Sequence, residues 1–89
     1  MLNKPTYSLI EPDLKIVLRR GNDGKKFKEI AIKLLNKIPL DPKFRDHPLK
    51  GNYLGRREIH VEPDWLLIYK ITTDQIIFER TGTHSDLFN

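Results

Sequence analysis

Three short apolar segments, separated by two tight turns, dominate the second half of the chain and limit its fold more than any other feature. The segments are Arg57–Val61, Trp65–Ile71 and Gln75–Arg80, and the turns are Glu62–Asp64 and Thr72–Asp74. Turns this short join neighbouring antiparallel strands, since a parallel crossover needs a dozen or more residues. The pattern therefore predicts a three-stranded antiparallel meander, whose central strand is the nearly continuous apolar run Trp65–Ile71.

Two helices are predicted before the meander. The first starts at Glu11-Pro12-Asp13, where proline is tolerated in the opening turn, and ends at Gly21-Asn22. The second runs from an N-cap at Asp23 to a stop at Pro39. Its apolar residues recur at the i, i+3, i+4, i+7 spacing of one helical face; they are Phe27, Ile30, Ala31, Leu34, Leu35 and Ile38.

The remaining segments complete an expected α+β fold. Tyr7–Ile10 is predicted to be a short opening strand, and Leu40–Tyr53, which is punctuated by proline and glycine, is predicted to be loop. Gly82–Asn89 is expected to be a short tail. The predicted order is β-α-α-β-β-β in one domain, residues 1–89, with both helices packed on one face of the antiparallel sheet.

Composition narrows the class of protein. The chain has no cysteine, which excludes a disulfide framework, a thiolate metal site and a cysteine nucleophile, and which favours a reducing cytosol. Neither a signal peptide nor a run of roughly 18 apolar residues is evident, so we expect a cytoplasmic protein with no membrane partner. The net charge of +4 and the pI of 9.5 favour an anionic partner such as nucleic acid.

The candidate chemistry lies in the three histidines of the chain, His47, His60 and His84. Imidazole takes and gives a proton near neutral pH, so three such groups beside Asp64 and Arg80 indicate acid–base chemistry on an anion. The turn between the first two meander strands is expected to bring His60 and Asp64 together. There the carboxylate would raise the imidazole pKa, fix its tautomer or act as a base itself.

Each of these residues also has a purely structural interpretation. His84 can be a solvated tail residue, Asp64 can cap a turn, and His47, which precedes a proline, can be an exposed loop residue. His60 can be an ordinary edge-strand residue. Arg80 can pair with an acidic neighbour on the surface, or it can bind a phosphate group of an anionic substrate through its planar guanidinium group.

Four further residues are candidates for substrate contact. Trp65 and Phe88 would stack on or buttress an unstacked base, although lone aromatic residues at such positions usually pack in the core. Arg57 and Lys50 belong to a larger basic set that would contact RNA phosphates. The histidines and the aspartate can also ligate zinc, but their spacing matches no compact zinc pattern, so we expect neither a metal nor another cofactor.

Three motifs of the chain resemble YafQ-type toxins of the RelE/ParE superfamily of bacterial toxin–antitoxin systems. The motifs are Asp46–Gly51, His60–Lys70 and Phe78–Phe88, and their order and spacing are those of the toxins. The resemblance runs from the second predicted helix to the C-terminus, and the segment before Asp23 matches in pattern only. It implies a small RelE-like fold.

The resemblance also implies a function. It implies a ribosome-dependent endoribonuclease that cuts mRNA in the A site, by attack of the 2′-OH that leaves a 2′,3′-cyclic phosphate. His84 would be a principal catalytic group, His60, Asp64 and His47 would share proton transfer, and Arg80 would hold the phosphate. A cognate antitoxin would neutralise the toxin, and the complex would bind operator DNA through the antitoxin.

Two other functions are compatible with such a fold. A toxin of the ParE kind inhibits DNA gyrase by binding and performs no catalysis. The three histidines argue against it, because a binding protein has no use for a convergent acid–base cluster. The second alternative is a catalytically idle module that binds RNA or protein.

Overall fold

The computed structural model describes residues 5–88, which contain three helices and four strands. The helices are α1 (Glu11–Arg19), α2 (Gly24–Leu35) and α3 (His84–Phe88), and the strands are β1 (His47–Pro48), β2 (Arg57–Glu62), β3 (Trp65–Ile71) and β4 (Ile76–Gly82). The strands form one antiparallel sheet in the order β1-β2-β3-β4. The predicted α+β class and the meander are therefore confirmed. No helix among these residues is long and apolar enough to cross a membrane.

The sheet has two covered faces. The N-terminal helices pack on one of them, the inner face, where their apolar residues join Ile59 and Leu67 in the main core. The opposite, outer face carries a smaller cluster that contains Leu66, Ile68 and Leu87. Because successive strand residues point to opposite faces, the first five residues of β3 are all buried.

Helix α2 begins where it was predicted and ends earlier. Asp23 is its N-cap, and the carboxylate accepts a backbone N–H of the first turn at 2.9 Å. The helix ends at Leu35 and does not reach Pro39. Lys37 adopts a left-handed conformation with φ 55°, and its N–H and the next one bond back to the last turn in a Schellman motif. Ile38, predicted on the apolar face, is consequently half exposed.

Three features at the margins of the sheet differ from the prediction. Tyr7–Ile10 is not a strand; Thr6 forms an isolated parallel bridge with Ile77, and the following residues turn into α1. The predicted loop contains the edge strand β1, whose two residues show no alternation and include a proline that an edge tolerates. Helix α3 occupies most of the predicted tail, of which Asn89 lies outside the described residues.

Candidate active site

Two histidines and a buried glutamate form a cluster on the outer face of the sheet. Glu58 and His60 point to this face because they alternate with the core residue Ile59, and β1 places His47 directly opposite Glu58. The Glu58 Oε1 lies 3.2 Å from the Nε2 of His60 and 3.5 Å from the Nε2 of His47. Glu58 is only 5% exposed, so water screens its interaction with the two imidazoles weakly.

The three histidines form a row across the outer face. The ring centroids of His47 and His60 are 6.0 Å apart, and those of His60 and His84 are 5.9 Å apart. The exposed fraction of the side chain is 11% for His60, 43% for His47 and 55% for His84. The structure thus brings the three predicted histidines together, and His84 is the most accessible of them.

Asp64 holds His84 in place. Asp64 lies in the turn between β2 and β3, and its Oδ1 accepts the backbone N–H of His84 at 2.9 Å and lies 2.6 Å from the Nδ1 of the ring. These hydrogen bonds lower the pKa of the Asp64 carboxyl group, so it is ionised near neutral pH. The Nδ1–H therefore donates to Asp64, and the Nε2 of His84 is left for a substrate.

The expected pairing of Asp64 with His60 is not what the structure shows. Asp64 bonds to His84, and His60 faces Glu58. The lowered pKa of Asp64 favours a role in fixing the imidazole tautomer over the role of a base near neutral pH. Helix α3, which was not predicted, explains the exchange of partners because it returns His84 to the turn that carries Asp64.

The orientation of α3 is fixed by a network around Asp86. The Thr83 N–H donates to Asp86 at 2.9 Å, and the Asp86 N–H donates to the Thr83 hydroxyl at 3.0 Å, as in a capping box. Arg20, at the end of α1, donates to the same carboxylate at 2.6 Å and 3.2 Å and holds its pKa well below the usual range. Gly82 is required here, because an added Cβ would lie 2.7 Å from an Asp86 oxygen.

Arg80 lies near the end of β4 and is held by α1. Its Nε donates to the Asp13 carboxylate at 2.6 Å, and this contact raises the pKa of the guanidinium group. Glu79, the neighbouring acid, pairs with Arg56 at 3.0 Å. Because Asp13 takes the Nε–H, a phosphate would be bound through the terminal Nη groups of Arg80.

The strand register places Arg80 on the same face as the histidine row. Arg80 pairs with Ile68, which pairs in turn with Glu58. Two strand spacings separate Arg80 from Glu58, which corresponds to about 10 Å between their backbones. A long arginine side chain can therefore reach a phosphate held beside the histidines.

The two aromatic candidates differ in their surroundings. Trp65 is 1% exposed, and its Nε1 donates to the Thr81 hydroxyl at 2.8 Å, so in this structure it supports the turn that carries Asp64 and has no free face for a base. Phe88 is 46% exposed and packs edge-to-face on Tyr53, with 5.6 Å between the ring centroids. Phe88 alone of the two is placed to stack on a base.

The two basic candidates lie outside the cluster. Arg57 points to the inner face, where Asp46 accepts hydrogen bonds from its Nε at 3.0 Å and from the hydroxyl of Tyr69 at 2.8 Å. Burial raises the pKa of Tyr69, which keeps the hydroxyl protonated as the donor. Lys50 is exposed in the loop after β1. The structure therefore leaves Lys50 available to an anionic partner and commits Arg57 to an internal ion pair.

Glu58 is the main site residue that the sequence analysis missed. A signal for it exists, because Glu58 and His60 are separated by one residue in a predicted strand and so share a face. Strand β1, which the sequence pattern did not reveal, places His47 opposite Glu58.

A cavity of about 560 Å³ opens beside His60. It lies between α2, the 3-10 turn Pro42–Phe44 and the end of β2, and Lys43, Phe44 and Arg45 form part of its wall. The Lys43 ammonium lies 5.2 Å from the centroid of the Phe44 ring. Glu29 and the ion pair Lys26–Glu62 also line the wall, so the cavity combines charges of both signs with an aromatic surface next to the histidine row.

Comparison with known proteins decides the family. The family model described as "Bacterial toxin of type II toxin-antitoxin system, YafQ" matches residues 5–89. This chain belongs to the YafQ toxin family. The mRNA interferase toxin YafQ of Escherichia coli K12 is 48% identical to it over 77 residues, which are 85% of this chain and 84% of the relative.

Solved structures of bacterial toxins share the fold. The Escherichia coli DinJ–YafQ toxin–antitoxin complex contains a chain with a TM-score of 0.88 and 41% identity, and each chain is covered in full. A metal-bound toxin from Helicobacter pylori has a TM-score of 0.89 and 40% identity, over 99% of this chain and all of that toxin. The likeness confirms the predicted RelE-like fold and the resemblance to YafQ.

Proposed function

We propose that this chain is the toxin of a type II toxin–antitoxin pair and cleaves mRNA in the A site of the ribosome. Membership of the YafQ family supports the proposal, and the Escherichia coli relative is an mRNA interferase. The observation that carries it is the row of His47, His60 and His84, in which Glu58 faces the first two imidazoles and Asp64 holds the third. Such a row offers proton acceptors and donors to one phosphodiester.

Cleavage requires two proton transfers. A base takes the 2′-OH proton as the 2′ oxygen attacks phosphorus, and an acid protonates the 5′ oxygen as the P–O5′ bond breaks. The products are a 2′,3′-cyclic phosphate and a 5′-hydroxyl. The His84 Nε2 serves one transfer, and His60 with Glu58 and His47 serves the other. Both assignments of acid and base agree with the geometry.

Charge stabilisation is assigned to Arg80. The phosphorane transition state gains negative charge. The Nη groups of Arg80 are hydrogen-bond donors that are already in place, so little reorganisation is needed as this charge develops. Phe88 would stack on a base beside the scissile phosphate. Lys43 and Arg45, in the wall of the cavity beside His60, would neutralise phosphates of the neighbouring nucleotides. This mechanism requires neither a metal nor another cofactor.

The partners follow from the proposed role. The ribosome presents the mRNA in the A site, and a cognate antitoxin neutralises the toxin, as the DinJ–YafQ complex of Escherichia coli supports. The toxin–antitoxin complex would bind operator DNA through the antitoxin.

The test is to map cleavage products in a purified translation system with and without ribosomes. We expect cuts at in-frame A-site positions that need ribosomes and carry a 2′,3′-cyclic phosphate. The control is Lys28→Ala, which changes an exposed residue of α2 on the far side of the sheet. Cutting of naked RNA at the same rate would contradict ribosome dependence. No cutting under any condition would contradict the proposed activity, and inhibition of gyrase supercoiling would then favour a ParE-like toxin.

A further inference from the structure

The contact between Asp64 and His84 joins two exposed segments of the chain. Their side chains are 63% and 55% exposed, so water screens the attraction and the pair contributes little free energy by itself. His84 is the first residue of α3, and a helix of five residues is not stable on its own in water. The separation of 2.6 Å between the Asp64 Oδ1 and the His84 Nδ1 therefore depends on what holds the two segments.

An ion pair holds the segment that carries His84. Arg20, at the end of α1, donates from one Nη to an Asp86 oxygen at 2.6 Å and from the other Nη to the second oxygen at 3.2 Å. Two parallel contacts of this kind fix orientation as well as distance. Asp86 follows His84 by two residues in α3, so Arg20 ties the helix that carries His84 to α1.

A second ion pair holds the turn that carries Asp64. Lys26, in the first turn of α2, donates to the Oε2 of Glu62 at 2.6 Å, and the side-chain amide of Asn22 lies 3.5 Å from the Oε1. Glu62 ends β2 just before the turn, and Trp65 is buried just after it. The turn is thus held on one side by the core and on the other by Lys26.

Both ion pairs matter more for geometry than for folding. The side chains of Arg20 and Lys26 are 47% and 48% exposed, and ion pairs that are this exposed stabilise a fold only slightly. A displacement of about 1 Å at a reacting group, in contrast, can slow catalysis about 100-fold. Loss of either ion pair is therefore expected to affect the site before it affects the fold.

We propose that Arg20 and Lys26 are positioning residues for cleavage. Arg20 acts through Asp86 on α3, and Lys26 acts through Glu62 on the turn of Asp64. Together they bring two exposed segments into the register in which Asp64 fixes the His84 imidazole. The effect on cleavage rests on the proposed ribonuclease function, whereas the effect on the Asp64–His84 contact does not.

The first arm of the test measures that contact without RNA. The N–H groups of His84 lower the pKa of the Asp64 carboxyl group, so an NMR titration of its carboxyl carbon reports on the contact. The pKa should rise toward the ordinary value of about 3.9 when an ion pair is broken. Three variants break one: Arg20→Ala, Lys26→Ala and Glu62→Gln. Arg19→Ala and Lys28→Ala, which change exposed neighbours in α1 and α2, are the matched controls and should titrate like the wild type.

The comparison of Lys26→Ala with Glu62→Gln separates positioning from simple charge removal. Removing a positive charge raises the pKa of a nearby carboxyl group, and removing a negative charge lowers it. Loss of positioning raises the Asp64 pKa in both variants. Shifts in opposite directions, or a wild-type pKa in both, would overturn the role of Lys26. A wild-type pKa in Arg20→Ala would overturn that of Arg20.

The second arm measures single-turnover cleavage at saturating programmed ribosomes, with ribosome affinity measured in parallel. Arg20→Ala and Lys26→Ala should cleave at least tenfold more slowly than the controls and bind ribosomes equally well. Exchanging the charges, Lys26→Glu with Glu62→Lys, should recover most of the rate that Lys26→Glu alone loses.

Control rates in both single variants would overturn the positioning role in cleavage. Weaker ribosome binding at an unchanged saturated rate would do so too, because it would make these residues RNA contacts. A wild-type toxin that does not cleave at all would contradict the proposed function, and the NMR titration would still decide whether the ion pairs position Asp64 and His84.

Discussion

At the scale of single residues, the chemistry depends on which carboxylate faces which imidazole. Asp64 is bonded to exposed His84, whereas buried Glu58 lies between His60 and His47. Asp64 therefore orients the accessible imidazole of His84. Glu58 attracts positive charge to the two less accessible imidazoles. The two pairings lead to separate predictions.

We expect the carboxyl group of Asp64 to titrate below its ordinary pKa of about 3.9. The backbone and ring N–H groups of His84 donate to it and lower its pKa. A lowered carboxyl pKa stabilises the folded protein above the ordinary pKa, and this contribution is lost as the pH falls through the lowered value. An NMR titration of the carboxyl carbon measures the midpoint, which should rise in His84→Ala. A wild-type midpoint at or above about 3.9 would contradict the pairing.

Glu58→Gln should slow single-turnover cleavage about 100-fold. The substitution keeps the size of the side chain but removes the negative charge that faces two imidazoles and favours their protonated forms. The matched control is Glu11→Gln, which neutralises an exposed acid in the first turn of α1. Both variants should melt cooperatively, as circular dichroism would show. Cleavage by Glu58→Gln at the rate of the control would remove Glu58 from the proposed mechanism.

At the scale of elements, the short helix α3 and its anchors decide where His84 lies. Gly82→Ala should destabilise the protein by about 1–3 kcal/mol, because the new Cβ would lie 2.7 Å from one Asp86 oxygen and 2.9 Å from its Cβ. Gly24→Ala is the matched control, since its Cβ meets only the flexible end of Leu18 at 3.1 Å. Urea unfolding of both variants measures the difference. Equal stabilities would show that α3 tolerates displacement.

The same elements show what the sequence pattern could predict. Strands β2, β3 and β4 were predictable because they are short apolar segments between turn residues, and the start of α2 was predictable from the Asp23 cap. The early end of α2 was not, because the left-handed conformation of Lys37 has no glycine to mark it. Strand β1 and helix α3 are too short for a periodic signal, and they supply the neighbours of Glu58 and Asp64.

At the scale of the whole molecule, the two faces of the sheet have different tasks. The inner face buries the main core under α1 and α2, while the outer face combines a small apolar cluster with the histidine row. Helix α1 connects the two faces, because its Asp13 binds Arg80 and Arg20 at its end binds α3. The stability of the helical layer and the geometry of the site are therefore linked.

Ribosome binding should weaken as salt concentration rises, because a chain of net charge +4 releases counterions from RNA when it binds. Lys50→Ala should reduce the slope of log affinity against log salt by about one, since Lys50 is exposed on the loop after β1. Lys28→Ala, on the helical side of the sheet, should leave the slope unchanged. Binding to programmed ribosomes at several salt concentrations measures both. Equal slopes for the two variants would contradict an RNA contact by Lys50.

We expect the histidine row to cleave mRNA by acid–base catalysis on the ribosome. Its most direct test is the single-turnover rate of cleavage on programmed ribosomes for the wild type, His84→Ala and the control Lys28→Ala, with ribosome binding measured in parallel. We expect His84→Ala to bind normally and to cleave about 100- to 10,000-fold more slowly. Cleavage by His84→Ala within a few-fold of the control, at equal binding, would contradict it.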